Sequence, residues 1–300
     1  MRGALIPLLL IAAVAPSGCG REAPLGSAGR PIRMGFVPSV NATELTQSGR
    51  DLAGMMTQRT GLQFDVRVGS SYPVVVAGMG AGTIDVGWLN PLSYVQAHDR
   101  YGVRVLLITE RDGVTTYRGH IIARRDGPVH RLADLKGKRF AFVDSYSTSG
   151  TLYPKLLMRA NGIDPDRDLA QSFFAGAHDK VVIAVYNRQA DAGAIYGGVT
   201  SDARERVQSA LPDVMEKTTV IARTDEIPND TVSVRKDLPP DVTARIQEAL
   251  LAIVRSDEGR RKVFELYGIN GLRPTNDATY DSVRRALQAA NLDLEHVPAK

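Results

Sequence analysis

The densest run of chemically able side chains is Asp144-Ser145-Tyr146-Ser147-Thr148-Ser149-Gly150. It joins an apolar run at 139–143 to a segment with helical spacing at 151–161. A helix N-terminus leaves backbone N–H groups unpaired and carries partial positive charge. Hydroxyls there add donors, and Gly150 lets an anion approach the backbone, a combination suited to an oxyanion such as phosphate or a phosphonate. Plain helix capping needs only one of these hydroxyls, so the run by itself admits both readings. Donors also gather at Ser70-Ser71-Tyr72, around Ser39, Asn41 and Thr43, and at His178-Asp179. Each of these alone reads as a cap, but several in one chain point to anion binding. Asp230, in Ile227-Pro228-Asn229-Asp230, reads by itself as a turn residue.

Other chemistries find little support. The five histidines are scattered without metal-site spacing, so neither a metal nor a cofactor is expected. There is no Walker-type loop, dinucleotide fingerprint or Gly-x-Ser-x-Gly elbow. Gly78-Met79-Gly80-Ala81-Gly82 imitates a nucleotide loop but lies late in a helical pattern with no strand before it. The single cysteine, Cys19, excludes an intramolecular disulfide and a zinc site built on several thiolates. With 37 basic and 33 acidic side chains interspersed along 300 residues, the net charge of +4 does not argue for a nucleic-acid partner. A hydrophobic share of 43% excludes a disordered tail, and no succession of long apolar runs marks a multi-span membrane protein.

The donors must be positioned by strands and helices that alternate along the chain. Strands are expected at 32–37, 64–68, 84–88 and 103–109, with helices at 43–60, from Tyr72-Pro73 to about Ala81, and from Pro91. A second block repeats the pattern, with strands at 120–123, 139–143, 171–174, 192–196 and 218–223 and helices at 151–161 and 180–187. Three helical segments follow, at 240–255, 257–267 and 277–290. Such alternation predicts largely parallel sheets with helices on both faces. The blocks separate near Arg118 and again over 223–230, which predicts a discontinuous first lobe. Its parts are 31–118 and 225–300, the latter including the C-terminal helices, and 119–224 forms the second lobe. Two α/β lobes around a cleft suit ligand capture by hinge closure.

Residues 1–19 have the order of a secretory signal: Arg2, an apolar run broken by Pro7, then small residues. Ending at Cys19, they resemble a bacterial lipoprotein signal, whose thiol is lipidated, although Pro16 stands where leucine is usual. Cleavage nearby by ordinary signal peptidase is the other reading, and both export the protein. Residues 20–30, rich in Gly, Ala, Ser and Pro, read as a flexible tether.

Taken in order, several pieces resemble one family. They are Tyr72-Pro73-Val74-Val75-Val76, Asp85-Val86-Gly87-Trp88-Leu89-Asn90-Pro91, and Phe140-Ala141-Phe142-Val143-Asp144 with Ser147-Thr148-Ser149-Gly150. His178-Asp179-Lys180-Val181-Val182 and Ile227-Pro228-Asn229-Asp230 continue the series. The chain is similar, over roughly 32–287, to the PhnD-like substrate-binding proteins of phosphate, phosphite and phosphonate ABC importers. The resemblance implies a periplasmic-binding-protein type II fold, an inner-membrane permease as partner, and no enzymatic activity. A monomer is expected. It implies that Ser147, Thr148 and Ser149 hold phosphoryl oxygens, that His178 and Asp230 meet the same headgroup, and that Tyr72 and Tyr117 donate hydroxyls from the cleft wall. Relatives that take aminophosphonates place a carboxylate after the histidine helix. The comparable Tyr196-Gly197-Gly198-Val199 has none, which favours phosphite, methylphosphonate or phosphate. Asp230 would require a proton on the ligand, because two bare negative charges repel; sulfate cannot supply one. Trp88 is expected near the cleft. A ligand-sensing subunit for a membrane kinase or chemoreceptor is the alternative, and a phosphatase using Ser147, His178 and Asp230 ranks behind it.

Overall fold

The computed structural model describes residues 23–198 and 201–290. The expected signal at 1–19, with Cys19, lies outside the described residues, as does Val199.

The first half of the chain runs β1 (Ile32–Phe36), α1 (Ala42–Thr60), β2 (Phe64–Val68), α2 (Tyr72–Gly80), β3 (Val86–Leu89), α3 (Pro91–Tyr101) and β4 (Arg104–Glu110). It then crosses into β5 (Thr116–Arg124), β6 (Arg139–Phe142), α4 (Tyr153–Ala160), β7 (Gln171–Phe174), α5 (His178–Tyr186) and β8 (Ala192–Gly197). A short α6 (Val214–Lys217) leads to β9 (Thr218–Pro228), which returns to β10 (Thr231–Val234). The chain closes with α7 (Pro240–Ile253), α8 (Asp257–Tyr267), β11 (Gly271–Pro274) and α9 (Asp281–Ala290). Local chemistry sets these limits. The Asn41 side chain accepts from the N–H groups of Thr43 and Glu44, and Gly61 ends α1 in the left-handed region at φ 69°. Between those signals Leu45, Leu52 and Met56 share the buried face. Pro91 opens α3 behind an Asn90 cap, and Gly102 closes it.

Two sheets result, in the orders β11-β4-β10-β3-β1-β2 and β7-β6-β8-β5-β9. They share one plan. In the first, β1 lies parallel between β2 and β3; in the second, β6 lies parallel between β7 and β8. Each lobe then receives a strand straight from a crossover, β10 beside β3 and β5 beside β8, both antiparallel. The sheets are therefore mixed and not largely parallel, because β10 and β11 in the first and β5 in the second run against the rest. β5 and β9 also extend beyond their apolar stretches, since they pair with each other along Thr116–Arg124 and Thr218–Pro228. The edge strand β11 has a single buried apolar residue, Leu272, and carries no alternation that a sequence pattern could register.

Residues 23–30 correct the expectation of a flexible tether. They form a turn on the first lobe in which Gln63 N–H donates to the Gly26 carbonyl. A side chain on Gly26, at φ 84°, would strike Leu62. The glycines that read as flexibility are needed for close docking.

One contact appears in both lobes with the same spacing. Arg33, on β1, gives its backbone N–H, Nε and Nη2 to Asp85, just before β3. Arg139, on β6, does the same to Asp191, just before β8, again 52 residues on. Each pair locks the register of two neighbouring parallel strands. Asp85 is fully buried and also accepts from Arg235 Nε after β10. Burial alone would raise its pKa, but the bonds from Arg33 and Arg235 outweigh that and hold the carboxyl below its ordinary value. A depressed carboxyl stabilises the fold above its unfolded pKa, and the contribution is lost as pH falls through the folded one. Asp85→Asn is expected to cost roughly 2–3 kcal/mol at neutral pH and less in acid. Thermal denaturation at both pH values checks this; equal stabilities of variant and wild type would show that the lock carries no load.

Candidate functional site

The two crossovers between lobes are pinned to each other. Asn229, fully buried between β9 and β10, donates Nδ2 to the carbonyls of Thr109 and Val114 at 3.0 and 2.9 Å. Its backbone N–H reaches the Thr115 carbonyl at 2.8 Å, and its own carbonyl accepts from Tyr280 Oη. Arg111, between β4 and β5, donates Nη1 to Asn229 Oδ1 at 3.0 Å and Nη2 to Asp230 Oδ2 at 3.0 Å. The hinge segment Asn229-Asp230 is thus fixed at the floor of the cleft.

Above this floor the lobes exchange helix caps. Ser71 precedes α2 but its side chain caps nothing; Asp144, from the second lobe, accepts from Tyr72 N–H at 3.3 Å. Thr148 Oγ1 accepts from Leu92 N–H in the first turn of α3 at 2.9 Å. Asn90 Nδ2 returns a bond to the Tyr146 carbonyl. At α5, Ala177 offers no side-chain cap, and His178 N–H donates to the Ser39 carbonyl of the first lobe at 3.0 Å. Orphan amides of one lobe therefore find acceptors on the other. The lobes are closed upon each other.

A small cavity lies among these helix ends. Of the residues expected from the sequence, Tyr72, Tyr117, Ser147, Ser149, His178 and Asp230 line it together. Thr148 does not: it is fully buried behind the wall, committed to Leu92 N–H. Trp88, expected near the cleft, lines the cavity and stacks on Phe36 at 5.9 Å between ring centres. Gly150 has a different task from the one expected. A Cβ there would meet Val143 at 2.3 Å and Ser147 Oγ at 2.8 Å, so its bare backbone serves packing of the π-helical turn Thr148–Leu152. Ser147 Oγ accepts from Gly150 N–H, which leaves its own proton to donate.

The lining donors are neutral. His178 Nδ1 accepts from Tyr196 N–H at 3.0 Å, so the ring proton of the neutral imidazole sits on Nε2. Burial, with the charge of Arg111 adding to it, depresses the His178 pKa to about 3. Burial pushes the phenols of Tyr72 and Tyr117 upward, so both stay protonated donors. The Tyr72 hydroxyl is buried and has no hydrogen-bond partner among the described residues. Asp230 is the one carboxylate and Arg111 the one guanidinium among the described lining residues. Such a set can surround a small anion with hydroxyl and imidazole donors and offer it a single acceptor.

Several lining residues escaped sequence reasoning. Arg111 follows an apolar strand as an ordinary surface arginine would, and only its crossover position, beside the second lobe boundary in space, gives it a role. Tyr196 lies next to the last residue of β8 and Tyr267 ends α8; the latter donates Oη to the Val37 carbonyl. Tyr196 reads in the sequence as part of a strand and of the segment without a carboxylate, not as a lining residue, and nothing near Tyr267 in the chain marks a site.

Known proteins resemble this chain over most of its length. The model of a family described as the periplasmic substrate-binding protein of phosphonate ABC transporters matches residues 34–280. The phosphate-import protein PhnD of Mycolicibacterium smegmatis is 27% identical over 277 residues, covering 84% of each chain. The phosphonates-binding periplasmic protein of Escherichia coli is 24% identical, over 90% of this chain and 75% of that one. Among solved structures, PhnD1 of Prochlorococcus marinus in complex with methylphosphonate superposes with a TM-score of 0.76 at 18% identity, covering 87% of this chain and 98% of that one.

His178 makes the proton count of the site measurable. Its folded pKa lies below the unfolded value, so its burial costs stability as pH falls below about 6.5. Nitrogen NMR of the imidazole is expected to report the neutral Nε2–H tautomer from pH 8 to pH 5. An imidazolium signal at pH 6 would refute the assignment of His178 as a neutral donor.

Proposed function

The chain belongs to the family of periplasmic substrate-binding proteins of phosphonate ABC transporters, and from that footing we propose that its cavity captures phosphite, methylphosphonate or phosphate. The family role is binding and delivery to a membrane permease; it is not an enzyme. The observation that carries the ligand class is the convergence of neutral donors, Tyr72 Oη, Ser147 Oγ, Ser149 Oγ and His178 Nε2, around one carboxylate, Asp230. Tetrahedral oxyanions present several acceptors in a small volume, and a protonated one also presents the donor that Asp230 needs. Fully ionised sulfate lacks it. The absence of a carboxylate in Tyr196-Gly197-Gly198 leaves an aminophosphonate ammonium without a partner at that place. Thr148 acts indirectly in this reading, by holding the start of α3.

Capture proceeds by closure of a first lobe, 31–118 with 225–300, on a second, 119–224. Four or five charge-assisted bonds in a closed cavity suffice for a micromolar Kd, which corresponds to about −8 kcal/mol. The protein acts as a monomer, held at the membrane by lipidation of Cys19.

A thermal-shift panel tests the ligand class, because a ligand that binds only the folded chain raises its Tm by mass action. Phosphite, methylphosphonate and phosphate are expected to shift the melt; sulfate and 2-aminoethylphosphonate are expected not to. A melt unmoved by all of them would end this reading. Calorimetry on Tyr72→Phe should show affinity about 10- to 100-fold weaker, as for a hydrogen bond to a charged partner. Trp88 fluorescence should change on saturation, and a constant spectrum would remove Trp88 from the cavity wall.

A further inference from the structure

We infer that Arg111 is a positioning residue that holds the Asp230 carboxylate in place and, through it, sets the preference of the cavity for protonated over fully ionised oxyanions. The inference rests on the ligand class proposed above. Each nitrogen of the guanidinium donates to the protein: Nη1 to Asn229, Nη2 to Asp230 at 3.0 Å, and Nε with Nη2 to the Tyr267 carbonyl at 3.3 and 3.2 Å. Its plane carbon lies 5.8 Å from the centre of the Tyr117 ring. Held in this way, Arg111 acts on the ligand by way of Asp230.

The other described lining groups around Asp230 are uncharged, and Arg206, outside the lining, acts on the Tyr196 and Tyr267 phenols. Tyr72 from α2, Tyr117 from β5, Tyr267 from α8 and Tyr280 ahead of α9 all interact electrostatically with its carboxylate, and burial keeps each of these phenols protonated. His178 from α5 interacts with Arg111 and is itself neutral. Among the described lining residues Arg111 is therefore the one cation facing Asp230. Paired with that cation and held in place, the carboxylate can accept from a protonated ligand oxygen and repels a bare one. Without Arg111 the Asp230 side chain is free to turn away, and a fully ionised anion would then be accepted.

The test uses calorimetry of phosphite and sulfate binding at pH 5.5, 7 and 8.5 on the wild-type chain, Arg111→Gln, Arg111→Lys and Asp230→Asn. Wild-type protein that binds no phosphorus oxyanion at any pH contradicts the proposed function itself, whatever the variants do. Given wild-type binding, Arg111→Gln is expected to bind phosphite at least 10-fold more weakly than wild type. Its preference for phosphite over sulfate should fall at least 10-fold, while Arg111→Lys keeps most of it. Asp230→Asn should admit sulfate. An Arg111→Gln protein with the wild-type preference overturns the inference. Should that variant fail to fold, an Asp230→Asn protein that still excludes sulfate, or an Arg111→Lys protein that admits it as readily as phosphite, overturns it equally.

Discussion

A backbone amide at the start of a helix needs an acceptor, and in this molecule the acceptors for α2, α3 and α5 stand on the opposite lobe. Much of the site follows from that arrangement. Asp144, Thr148 and the Ser39 carbonyl hold the helix ends close enough to enclose a cavity, and the side chains carried by those same turns become its lining. In an open form water would take the place of each acceptor. Exchanging a hydrogen bond to water for one within the protein gains only about 0.5–1.5 kcal/mol, so a few such bonds leave closure nearly balanced. A ligand that binds both walls can then decide the outcome by its differential affinity alone.

The lining is also notable for how little charge it holds. Its hydroxyl and imidazole donors are uncharged, and among the described lining residues the single cation is paired with the single carboxylate. Anion binding in the proposed site would need no positive surface, which agrees with a net charge of only +4 spread along the chain. Directed dipoles in a closed site are stronger than the same groups in water, and neutral donors need not release a counter-charge when the ligand leaves.

The parts of this design that were legible in the sequence are those written in short-range chemistry. Apolar runs, Pro73 and Pro91 at helix starts, and Gly61 and Gly162 after helix ends place most of the elements to within a few residues. The serine-rich turn and His178-Asp179 announce donors because hydroxyls and imidazole at helix starts are a local signal. Pairings across the cleft leave no such trace. Ser71 reads as the cap of α2, yet Asp144, 72 residues away, supplies the bond. Thr148 is indistinguishable from its serine neighbours until its partner Leu92 is known. Arg111 and Asn229 lie 118 residues apart, and the crossing strands β5 and β9 gain their length from each other and not from their own apolar content. The turn at 23–30 misled for a related reason: the glycine that permits flexibility in isolation also permits the closest packing.

The Arg–Asp lock found once in each lobe carries a further consequence. Identical donor atoms, an identical spacing of 52 residues and the same placement before the third parallel strand make Arg33–Asp85 and Arg139–Asp191 internal equivalents. The sheets around them repeat one strand order, with β10 and β5 as corresponding visitors from the other half of the chain. The molecule is thus a pseudo-symmetric tandem, two renderings of a single half joined by swapped strands. In such an object a site between the lobes would lie near the local twofold relation. Asymmetry there must come from the few residues that break the repeat, the crossover pair Arg111 and Asp230 among them.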